Sequence, residues 1–200
     1  MTEGKTDGHR NFNFFGIVLF GALAIVGYFI TIYNGLISLK ENIKKSWSNI
    51  DVILKQRHDE LPKLISVCES YSEFEKGILD RLMKAREKYF KASGVAKKSE
   101  ASNEVTAALQ GIFALAENYP DLKANKNFMQ LQERISHLEE TLADRREFYN
   151  DSVNNYNIRI KQIPDVLVAG MLNYQDEEMF KVSQKEREDV KINIKIPKFG

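Results

Sequence analysis

Residues 43–71 read IKKSWSNIDVILKQRHDELPKLISVCESY, and their apolar positions advance by four and three residues in alternation. Ile43, Trp47, Ile50, Leu54, Leu61, Leu64, Cys68 and Tyr71 fall on this track, and Arg57 fills the one place where an apolar side chain is missing. A period near 3.5 is the seam of a helix that packs lengthwise against other helices. Pro62 lies inside the pattern. It has no amide hydrogen for the carbonyl of His58, so a helix kink is expected there rather than a stop. The single Cys68 occupies a seam position and reads as a small buried hydrophobe; alone, it excludes an internal disulfide framework.

Upstream, residues 11–39 carry no charge, and residues 14–33 (FFGIVLFGALAIVGYFITIY) are nearly all apolar. Roughly 20 such residues span the ~30 Å hydrocarbon core of a bilayer at 1.5 Å per residue. Tyr33 suits an interfacial aromatic belt. Lys5 and Arg10 resemble the start of a signal peptide, but the apolar run exceeds the usual ~7–15 residues and no A-x-A-like site follows. An uncleaved anchor over residues 13–33 is expected, after a short polar N-terminus at 1–12. It carries no G-x-x-x-G dimerisation pattern. Lys40, Lys44, Lys45, Lys55 and Arg57 outnumber Lys5 and Arg10. The bias places a short N-terminus outside and the following domain in the cytoplasm of a single-pass cell-membrane protein. The anchor helix is expected to run straight into the first seam.

Downstream, three more helices are expected. Ser72 and Glu75 have the spacing of a capping box opening a second helix at about 72–92, with Phe74, Ile78, Leu82, Ala85 and Tyr89 as its buried face. Ser93-Gly94 ends it, and residues 93–102 (SGVAKKSEAS) read as a loop. A third helix at about 103–119 carries Val105, Leu109, Ile112, Ala116 and Tyr119, and Pro120 stops it. A fourth, at about 125–160, carries Phe128, Leu131, Ile135, Leu138, Leu142, Tyr149, Val153, Tyr156 and Ile160, with Arg145 or Arg146 interrupting the seam. The fold expected is all-α: a transmembrane helix, then an antiparallel bundle of about four helices (residues 34–172) whose first and last members are long. Residues 166–172 permit a last helical turn. The charged tail, 173–200, is expected to be irregular, although VKINIKIPKFG at its end alternates as a strand would.

The chain holds 29 Lys and Arg against 28 Asp and Glu, a net charge of +1, which gives no electrostatic reason to expect nucleic acid as a partner. No catalytic or metal pattern stands out. Lys55 and Arg134 sit where a di-iron bundle needs Glu three residues before His58 and His137. H-E-x-x-H, C-x-x-C, P-loop and G-x-S-x-G patterns are absent. Glu133 and His137 read as exposed neighbours on one helix. No cofactor, metal ligand or catalytic residue is therefore assigned. The polar seam residues are the more informative feature. A buried Arg57 or Arg146 requires a partner, for which Asp51, Asp59, Glu75 and Asp144 are candidates. Such pairs fix helix register. Arg57, Asp59, Glu75 and Arg146 are taken as this structural seam.

Residues 117–128 (ENYPDLKANKNF), followed by Leu131-Gln132, resemble the signature of the LemA family. Arg57-His58-Asp59 ahead of Pro62, Ala85-Arg86, and Arg146-x-x-Tyr149-Asn150-x-x-Val153-x-x-Tyr156-Asn157 match in the same order. The resemblance covers roughly residues 33–169. Glu60 and Lys63 depart from it, standing where the family tends to have Leu and Asn, as does Glu147 where a second basic residue is common. Tyr119, Pro120, Asp121 and Asn125 mark the signature turn, with Asn125 expected to cap the fourth helix. The resemblance implies a membrane protein with a cytoplasmic helical bundle and no established enzymatic activity. Some relatives are linked to building intracellular membrane compartments. The expected function is a non-catalytic, membrane-anchored scaffold with the lipid membrane and unidentified proteins as partners, homo-oligomers included. The alternative is a membrane-linked sensor that binds a small ligand, for which the chain offers no output module.

Overall fold

A computed structural model describes residues 6–181, the side chains from residue 15 onward. The chain is all-α, with no strand among the described residues. Among the described residues six helices follow in order: α1 (Thr6–Glu69), α2 (Lys76–Lys91), α3 (Val95–Ala116), α4 (Pro120–Lys123), α5 (Lys126–Arg159) and α6 (Asp165–Met171). The described residues divide into two compact units, 6–47 with 151–177, and 48–150 with 178–181.

The second unit holds an apolar core. Leu61, Leu64 and Cys68 of α1, Leu79 and Leu82 of α2, Val105, Leu109 and Ile112 of α3, and Phe128 and Ile135 of α5 are all buried in it. These are the positions the three-and-four spacing selects, because that period keeps one stripe of each helix facing its neighbours. Gly111 lets α3 approach α2 closely, since a Cβ there would lie 2.9 Å from Ile78 Cδ1.

In the first unit, Ile32, Leu36 and Ile43 of α1 are buried, as are Val153 and Tyr156 of α5 and Val168 and Ala169 of α6. Between residues 15 and 31 the side chains of α1 are mostly exposed and apolar. This stretch is long and apolar enough to cross a membrane.

Several boundaries differ from the sequence-based expectation. α3 begins at Val95, eight residues before Asn103, so most of the expected loop is helix. Gly94, at φ +82°, turns the chain from α2 into α3. Ser99, Ala101 and Ser102 are buried; their small size reflects close packing, not a loop. The capping box does not form: α2 starts at Lys76, with Glu75 at its N-cap making no side-chain cap bond. The reason lies in the preceding turn, where the Phe74 ring enters the core and the Glu73 carbonyl accepts from Tyr119 Oη. α3 ends at Ala116, three residues before the expected Tyr119, and Pro120 opens the single turn of α4, the first-turn position that suits a residue without an N–H. Pro62 does not stop α1, which continues to Glu69.

Residues 172–181 contain neither further helix nor strand. They are nevertheless held in place. Within the second unit, Asn150 Nδ2 donates to the Phe180 carbonyl (3.1 Å) and its Oδ1 accepts from the Phe180 amide (2.8 Å). Within the first, Asn157 makes the same pair of bonds to Glu177, at 3.0 and 2.9 Å. The alternating segment at 190–200 lies outside the described residues.

Candidate functional site

Of the polar seam residues, Arg57 and Arg146 come together in the second unit, and Asp59 and Glu75 do not join them. Arg57 is fully buried. Its Nη1 donates to Glu139 Oε1 (2.6 Å) and Thr106 Oγ1 (3.0 Å), and its Nη2 to Ser102 Oγ (2.9 Å). Thr106 Oγ1 donates in turn to Glu139 Oε2 (2.8 Å). Arg146 reaches the same Ser102 Oγ from α5 (3.0 Å), and its guanidinium lies 4.5 Å from the centre of the Phe180 ring. Three helices and the tail segment are thus tied through one cluster. A guanidinium satisfies a carboxylate and two hydroxyls together because its donors are fixed in a planar fork.

The arginine interrupting the fourth seam is Arg146; Arg145 is exposed. The carboxylate facing Arg57 is Glu139, which differs from the four candidates named from sequence. Asp59, Glu75 and Asp144 are exposed. Asp51 pairs with Lys98 (2.8 Å) and accepts from Tyr89 Oη (3.1 Å); the Lys98 ammonium holds its carboxyl below the usual range. Glu139 carries a sequence signal all the same. Ile135, Glu139, Leu142, Arg146 and Tyr149 step by four and three, so Glu139 lies on the seam and Leu138 beside it. Ser102 continues the α3 track one step before Val105.

His58, next to Arg57, is also fully buried. It stacks on Tyr89 at 4.1 Å between ring centres and lies 5.2 Å from Phe90. Neither ring nitrogen has a hydrogen-bond partner among the described residues. Burial, reinforced by Arg57 and Arg86, pushes its pKa down to about 3. The ring is neutral at physiological pH and acts as packing. The His58 carbonyl, which the missing N–H of Pro62 leaves short of a helical donor, lies 3.4 Å from Arg86 Nε. Glu60 and Lys63, the departures noted above, pair with each other at 3.0 Å, and Arg134 joins Glu60 at 3.1 Å. Cys68 is buried, which pushes its thiol up to about 12.

The signature turn forms a reciprocal clasp with the loop between α1 and α2. Tyr119 Oη donates to the Glu73 carbonyl (2.9 Å), and Tyr71 Oη to the Asp121 carbonyl (3.2 Å). Asn125 Nδ2 donates to Tyr71 Oη (3.1 Å). Asn125 Oδ1 accepts from the amides of Asn127 and Phe128 (2.9 and 3.2 Å), which is an N-cap for α5. The side chains that carry the motif are therefore spent on joining two turns. Among the described residues no three His, Cys, Asp or Glu side chains group as metal ligands.

Residues 46–194 match the LemA family. The chain belongs to that family. It is similar to Protein LemA of Metamycoplasma hominis, with 30% identity over 186 residues, covering 88% of this chain and 82% of the relative. It is also similar to magnetosome protein MamQ 2 of Paramagnetospirillum magneticum (21% identity, covering 82% and 71%) and to magnetosome protein MamQ of Magnetospirillum gryphiswaldense (20%, covering 79% and 69%). The family match runs to residue 194, past the point near 169 where the quoted motifs end, so it takes in the segment clasped by Asn150 and Asn157. This is a LemA-type, membrane-associated protein.

Proposed function

We propose that this LemA-family chain is a non-catalytic scaffold, held at the cell membrane by residues 15–33 and presenting its helical unit to membrane or protein partners on the cytoplasmic side. The observation that carries this reading is how the conspicuous polar residues are used. Arg57, Glu139, Ser102 and Thr106 bond one another inside the unit, and Tyr71, Tyr119 and Asn125 bond backbone and each other. Both groups build rigidity, which suits a surface that must keep its shape for a partner. The exposed apolar stretch of α1 supports the anchor, and the charge bias around it supports a cytoplasmic unit. The magnetosome relatives support a role in organising membranes or membrane protein complexes.

Photo-crosslinkers placed on exposed residues such as Met83 and Met129, used in intact membranes, test the scaffold reading. Specific adducts with a membrane protein or a second copy are expected. Turnover of a small molecule that depends on Arg57 would contradict it. Labelling of an introduced surface cysteine from one side of the membrane tests the orientation, with access from the cytoplasmic side expected.

A further inference from the structure

We infer that α6 is a second membrane contact, a short helix lying in the headgroup layer beside the point where α1 leaves the bilayer. The inference rests on the reading that residues 15–33 span the lipid. Its basis is an apolar stripe on the outward side of the helix. Leu167 and Met171 are four residues apart on α6, so they share one face, and they are 58% and 82% exposed; Ile163, in the turn that leads into the helix, is 87% exposed. The opposite face, with Val168 and Ala169, is buried in the first unit. The acidic residue of the helix, Asp165, is bonded to Arg159 Nε at 2.8 Å. A helix with one face against water places polar side chains there; one that is apolar all round lies in a core or in lipid. Exposed apolar side chains gathered on one surface mark an interaction site rather than ordinary scatter.

The first unit also sets the level of this stripe. Arg159, bonded to Asp165, lies against Gly35, where a Cβ would come within 2.7 Å of its Nη2. Further along, Tyr174 sits under Lys40, 4.5 Å from the ammonium to the ring centre. The helix therefore lies between the levels of Gly35 and Lys40. At 1.5 Å per residue these are about 3 and about 10 Å beyond Tyr33, where the apolar run ends. The headgroup layer on each side of a bilayer is roughly 5–8 Å deep. The stripe thus begins near the level at which the apolar run of α1 ends, the depth an interfacial helix occupies.

The test uses the full-length chain in phosphatidylcholine–phosphatidylglycerol vesicles, with an environment-sensitive fluorophore on L167C or M171C. Cys68 stays in place, and unsubstituted protein gives its labelling background. A24C, in the middle of the apolar run, and E133C, exposed in the second unit, are the reference sites. Lipids carry a nitroxide quencher either near the headgroup or deep in the chain. Residues 167 and 171 are expected to be quenched several-fold more by the shallow quencher than residue 133, and more by the shallow than by the deep one. Residue 24 should show the reverse depth preference. If residue 24 is quenched but 167 and 171 behave like 133, α6 does not touch lipid and the anchor alone stands. If residue 24 is not quenched either, the anchor itself fails. Shielding of 167 and 171 from aqueous iodide without lipid quenching would assign the stripe to a protein surface and overturn the inference.

Discussion

Arg57 shows how much one side chain organises. It bonds Glu139 of α5 and Ser102 and Thr106 of α3, in a place where four and three spacing otherwise calls for Leu. Removing one member of a buried ion pair leaves the other short of its partner, at a cost of about 3–5 kcal/mol. Arg57→Ala is expected to lower stability by that order in chemical unfolding while the protein still inserts in membranes; an unchanged midpoint would remove Arg57 from its organising role. Glu139→Gln keeps the shape but leaves the fully buried Arg57 guanidinium without its counter-charge, so it should also lower stability, and the two effects should be far from additive in the double variant. His58 gives a pH signature. The folded protein excludes the imidazolium, and the unfolded chain takes up a proton below about 6.5. The stability this exclusion contributes is complete above that pH and is lost as pH falls towards about 3. The loss reaches up to about 1.4 kcal/mol per pH unit. His58→Phe is expected to flatten the slope relative to the parent between pH 6.5 and 4.5, measured by urea unfolding at each pH. At this scale the seam arginines were legible in the sequence. The acidic partner of Arg57 is harder to see, because Leu138 offers an apolar alternative one residue from the true track.

The elements themselves follow from periodicity, and their ends from tertiary contacts. The apolar steps of α1, α2 and α5 identify their buried faces directly. The start of α3 was hidden because Ser99, Ala101 and Ser102 have loop-like composition, although here small size serves close packing and hydrogen bonding to arginine. The false capping box at Ser72 arose because local spacing carries no information about the Tyr119 clasp. The continuation of α1 through Pro62 also draws on a distant residue, since Arg86 Nε lies at hydrogen-bond distance, though long at 3.4 Å, from the His58 carbonyl. A double-mutant cycle is the check. Arg86→Leu should destabilise the parent by about 1 kcal/mol and have a smaller effect when Pro62→Ala restores the backbone donor. Equal effects in both backgrounds would dissociate Arg86 from the proline. In the tail segment, Asn150→Ala removes both amide bonds to Phe180. It should cost about 1–2 kcal/mol and speed amide exchange at residues 178–181 by native-state hydrogen exchange. The repeated Tyr-Asn at 149–150 and 156–157 was visible as a motif, but its purpose needed the segment it grips.

At the scale of the whole molecule, composition and the apolar run indicated an all-α, membrane-associated protein. The family match and the helical architecture agree with that. The tail reads as irregular from its charge and low periodicity, and residues 174–181 have neither helix nor strand; what the sequence does not reveal is that residues 177 and 180 are held by side-chain amides and that Phe180 is buried. The scaffold reading, the interfacial α6 and the orientation all presuppose that residues 15–33 sit in lipid. Washing vesicles that contain the full-length protein with carbonate at high pH tests this most directly, because it strips peripheral proteins and leaves spanning ones. The protein is expected to stay with the lipid pellet; its appearance in the supernatant would contradict the anchor.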